Sequence, residues 1–156
     1  MGNGKTIRSM GLDLGMKGDE IPDQDHIARY CSSTQAPGGE IQAVAFFLKE
    51  DEESLSVNWM EFLSCPNRES EIAQLRNIYA AKLRRVGTGA KIAVLKVGEI
   101  RQKVLMESQD RRNLKVLHNP DVNDPSHSGI YNLKPDYELI AELILQTVLE
   151  DYPARR

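Results

Sequence analysis

The order of its apolar periods constrains this chain's fold most: strand-length runs gather within residues 26–59, and long helical stripes follow at 70–85 and 135–150. Side chains alternate across a sheet but recur every three or four residues along a helix face. Strands grouped early with helices later point to an α+β domain rather than a doubly wound parallel sheet. The first strand is expected at 26–32, with Ile27 on one face and Ala28 and Tyr30 on the other. After a turn at Ala36, Pro37, Gly38 and Gly39, the run over 41–48 is continuously apolar, which predicts a second strand buried on both faces. Residues 55–59 read as a third strand, completing a meander, and a short helical turn follows through Phe62 and Leu63.

Ile72, Leu75, Ile78, Tyr79 and Leu83 recur at helical spacing, with Glu69 and Glu71 near the start and Arg84 and Arg85 near the end, an order that suits the helix dipole. Gly87 and Gly89 stop this helix; 91–97 reads as a strand, 98–107 as a helix and 114–117 as a short strand. Pro120, Asn123, Asp124, Pro125 and Gly129 predict a long ordered loop over 119–129. The last helix opens at Pro135 and buries Leu139, Ile140, Leu143, Ile144 and Val148, ending before Pro153. Residues 1–20, rich in glycine and without apolar period, read as a flexible leader ahead of one domain over 21–152. The expected molecule is a single α+β domain, an antiparallel sheet covered on one face by two main helices.

A chain of 156 residues fits one domain, and 40% apolar with 28% charged residues excludes disordered and fibrous classes. The longest apolar run, over 43–48, is far below the roughly 20 residues of a membrane span. No secretory core precedes it, so a cytoplasmic protein without membrane contact is expected. Cys31 and Cys65 form neither a disulfide framework nor a metal-binding pair, so both are read as reduced thiols. The net charge of −3 is uneven: residues 68–115 hold 12 Lys and Arg against 5 Asp and Glu, a local +7 against −10 elsewhere. Such a stretch suits nucleic acid or solvated element faces, and Tyr79 as its one aromatic offers little for base stacking.

Three short stretches concentrate reactive groups: D-H-x-x-R-Y at 25–30, L-S-V-N-W-x-E at 55–61 and D-P-S-H-S at 124–128. If they converge, His26 and His127 supply a base and an acid near neutral pH and Arg29 holds a phosphate or carboxylate in bidentate fashion. Tyr30, Ser56, Asn58, Glu61, Ser126 and Ser128 are then ligand-binding candidates. The plain alternatives are an Arg29 ion pair, a His26 bond to a loop carbonyl, a core Trp59 and a turn at 124–126. Neither H-E-x-x-H, C-x-x-C nor a phosphate-binding loop occurs, so no metal and no cofactor is implied. The strand contexts of ADP-ribosyl-transferring folds are likewise not met.

The three motifs together resemble a family of small uncharacterised bacterial proteins over residues 21–133, a resemblance that implies no activity. The chain is therefore expected to be a small cytosolic binding or regulatory module with a polar pocket, its partner an unknown protein or small-molecule ligand. The alternatives are a metal-independent enzyme acting on a nucleotide or RNA phosphate, and nucleic-acid binding through 68–115.

Overall fold

The structure is a computed structural model that describes residues 18–156. Six strands form one fully antiparallel sheet: β1 (His26–Cys31), β2 (Ser54–Trp59), β3 (Lys91–Lys96), β4 (Lys115–His118), β5 (His127–Tyr131) and β6 (Val148–Pro153), in the order β4-β5-β2-β1-β3-β6. Three helices complete it: α1 (Arg68–Lys82), α2 (Val97–Glu107) and α3 (Tyr137–Leu145).

The sheet carries a core on each face, which corrects the expectation of two helices on one side. Ile72, Leu75 and Tyr79 of α1 pack with Ala28, Met60, Ile92 and Val94. Ile100 and Val104 of α2 and Ile140, Ala141 and Ile144 of α3 pack on the opposite face with Ile27, Leu55, Val57 and Ile130. Because strand side chains alternate, Val94 belongs to one core and Leu95 to the other. The near-continuous apolar character of β3 follows from this two-sided burial.

Two expected elements take another form. The run over 41–48 is not a strand: Ala43–Phe46 makes a 3-10 turn that buries Ala43, Ala45 and Phe46, and the Ala45 carbonyl accepts from the Arg29 side chain instead of a neighbouring strand. The last helical stripe stops at Leu145; Thr147 donates both its N–H and its hydroxyl to the Ile144 carbonyl, and Val148 begins β6 beside β3. The loop over 119–129 is shorter than expected, since His127 already opens β5. The leader expected over 1–20 lies outside the described residues up to position 17, whereas Gly18 to Ile21 bond along β4 through the His118 and Val116 carbonyls and the His118 N–H. Among the described residues no helix is long and apolar enough to cross a membrane.

Candidate functional site

β1 and β2 pair only at Ile27 with Trp59 and Ala28 with Asn58, then separate. Arg29 spans the gap: its Nε donates to the Ala45 carbonyl at 2.9 Å and its Nη1 to the Ser56 carbonyl at 2.8 Å. The strands are thus joined here by a guanidinium rather than by their own ladder. Beside this split lies a cleft of about 440 Å³, lined by Arg29, Tyr30, Ser56, Asn58 and His127 from the sheet and by Tyr79, Lys82 and Leu83 from the end of α1. Ser32, Gln35, Lys49 and Glu52 complete its lining.

Register explains the convergence. Asn58 stands opposite His127, and Ser56 opposite Gly129, so Ser56, Asn58 and His127 share the α1 face of neighbouring strands. A Cβ on Gly129 would lie 2.7 Å from Ser54 Oγ, so a glycine there lets β5 lie close to β2. His127 Nδ1 is 2.8 Å from the Asn119 carbonyl oxygen, which only accepts, so Nδ1 carries a hydrogen; Nε2 lies 3.2 Å from Ser56 Oγ.

The floor is a closed polar network. Asn58 Nδ2 donates to both carboxylate oxygens of Asp124 and to Ser126 Oγ, each at 2.9 Å, while Asn58 Oδ1 accepts from the Tyr79 hydroxyl at 3.0 Å. Ser126 Oγ donates to Asp124 Oδ1, and Lys82 Nζ binds Asp124 Oδ2 at 2.8 Å. A fully buried carboxylate is tolerated here because a cation and two further donors surround it. Burial pushes the Tyr79 phenol far above its ordinary value and holds the Arg29 guanidinium below its own, although an arginine keeps its charge at neutral pH.

Of the residues singled out from sequence, Arg29, Tyr30, Ser56, Asn58 and His127 line one cleft, and the others do not. His26 is clamped by Glu61 instead: its backbone N–H donates to Glu61 Oε1 and its Nδ1 to Oε2, both at 2.7 Å. His26 and His127 therefore each have separate partners, and His26 does not line the cleft that holds His127. Ser126 lies beneath the cleft in the buried network, and Ser128 is buried with its hydroxyl on the Ser126 carbonyl. Sequence reasoning missed Lys82, which only the register of α1 over the sheet brings to Asp124. It also missed the pairing of Ser56 with His127, two residues 71 apart in sequence whose meeting depends on β2 lying next to β5.

His118 is fully buried between Trp59 and Phe62, away from the cleft. Its Nε2 donates to the Pro125 carbonyl at 2.7 Å, and its Nδ1 is the one buried side-chain polar atom without a partner among the described residues. No group of three His, Cys, Asp or Glu side chains among the described residues is placed to hold a metal ion. Comparison with known proteins finds no matching family model, no similar curated protein and no similar solved structure.

Proposed function

We propose that this chain is a small-ligand-binding module whose cleft receives an oxyanion-bearing ligand on Arg29. The observation that carries the reading is how Arg29 is held. Two of its five N–H donors rest on neutral carbonyls and it pairs with no carboxylate, which leaves three donors and a whole charge for a ligand. Arg29, Lys49 and Lys82 stand against Glu52 and the buried Asp124, a net charge of one, and Glu52, the acid whose charge acts on Arg29, forms no ion pair with it among the described residues. One such charge suits a carboxylate better than a dianionic phosphate. The cavity volume falls within the usual range for small-molecule sites.

The basic segment supports a nucleic-acid surface less well. Arg68, Lys82, Lys91, Arg101 and Lys115 are engaged by Glu150, Asp124, Asp151, Asp23 and Glu20 from the acidic flanks.

Thermal unfolding with benzoate and with its neutral counterpart benzamide tests the reading. At ten times its dissociation constant a ligand adds about 1.4 kcal/mol, which raises the midpoint of a domain this size by about 4 °C. Benzoate is expected to do so for the native chain but not for Ser56→Trp, which fills the cleft, and benzamide for neither. Equal stabilisation by both compounds, or stabilisation that survives Ser56→Trp, contradicts the proposal.

A further inference from the structure

Serine becomes a nucleophile when an imidazole accepts its proton and a third group fixes that imidazole's orientation and tautomer. The cleft holds such a series. Asn119 O takes the hydrogen on His127 Nδ1, so the neutral ring turns its Nε2 lone pair toward Ser56 Oγ, 3.2 Å away. The Asn119 carbonyl is itself held in place: Asn119 N–H donates to the His127 carbonyl, and His127 N–H to the Asp124 carbonyl. Ser56 is exposed at the cleft, so its hydroxyl is open to a ligand. Arg29, bonded to the backbone carbonyl of Ser56, lines the same cleft with three donors unused.

We infer that the cleft carries out acyl transfer, with Ser56 as nucleophile, His127 as general base and Arg29 as the charge that receives the oxyanion. This rests on the reading of the cleft as a ligand site, and it names the substrate class as small esters or thioesters. Ser56 Oγ forms a bond to the acyl carbon while its proton passes to His127 Nε2. The carbonyl electron pair moves onto oxygen against Arg29, then returns as the bond to the leaving alcohol or thiol breaks, and His127 gives that group its proton. Water repeats the sequence on the acyl-serine, giving its proton to His127; His127 returns a proton to Ser56 Oγ as the free acid departs. The orienting group is a carbonyl rather than a carboxylate, so it sets the tautomer without a full charge to stabilise the imidazolium.

A fluorophosphonate probe tests the dyad without knowledge of the natural substrate, because the activated hydroxyl forms a stable Oγ–P bond and expels fluoride. The full chain is incubated with the probe and analysed by intact mass and peptide mapping. One adduct on Ser56 is expected. Ser56→Ala should take up none, and His127→Gln should react about 100-fold more slowly while circular dichroism shows its fold unchanged. No adduct, an adduct elsewhere, or native-rate labelling of His127→Gln overturns the inference. Failure to label alongside stabilisation by benzoate removes acyl transfer and leaves the ligand site standing; failure of both removes the cleft as a site.

Discussion

Asn58 is the residue on which the cleft floor depends, since its one amide group serves Asp124, Ser126 and Tyr79 at once. Asn58→Ala strips a donor from a buried carboxylate and an acceptor from a buried phenol, a loss of about 3 kcal/mol. Urea unfolding should show it as a lower midpoint at unchanged slope. Cys31 makes a separate residue-level prediction. Burial pushes its thiol up from 9.0 to about 11, so the folded state favours the neutral form. The sign follows: its contribution is intact below about pH 9 and is lost as pH rises toward 11, amounting to roughly 2 to 3 kcal/mol over that window. A urea midpoint that falls between pH 9 and 11 in the native chain, and falls less in Cys31→Ala, is the expected result. The same burial should keep Cys31 silent to a thiol reagent at neutral pH while the half-exposed Cys65 reacts.

Among the elements, α1 shows what local chemistry specifies. Asn67 Oδ1 accepts from Ser70 N–H at 2.9 Å, Glu69 and Glu71 occupy the first turn, and the stripe Ile72, Leu75, Tyr79 meets the sheet. Asn67→Ala should lower stability by about 1 kcal/mol, measurable by chemical denaturation. This helix, β1, β2 and β3 were legible because period and termini agree. The run over 41–48 was not: a continuous apolar stretch is equally consistent with a two-faced strand and a buried turn, and it is Arg29, reaching Ala45 across the fold, that engages a carbonyl there. The final stripe misled for a related reason, since Val148 keeps helical spacing with Ile144 although Thr147 ends the helix between them. At the site, the motif residues Arg29, Tyr30, Ser56, Asn58 and His127 were legible as candidates; which of them meet depends on strand order, which no residue encodes locally.

At the scale of the whole molecule, the charge asymmetry of the sequence becomes cross-bracing, with the basic middle of the chain tied to its acidic flanks by five ion pairs. Four of these pairs are solvent-exposed and contribute little each, and the pair to the buried Asp124 is screened little by salt, so raising NaCl from 0.05 to 1 M should cost no more than about 2 kcal/mol of unfolding free energy in urea titrations. The same topology sets β2 between β1 and β5, and with the end of α1 this makes the cleft a product of four segments far apart in sequence. An amide-resolved NMR titration of the full chain with benzoate tests that convergence most directly. Shifts should concentrate at Arg29, Tyr30, Ser56 and His127 and be absent with benzamide. Shifts centred away from these four residues, for instance on the groove between α2 and α3 around Leu139 and Leu143, would contradict it.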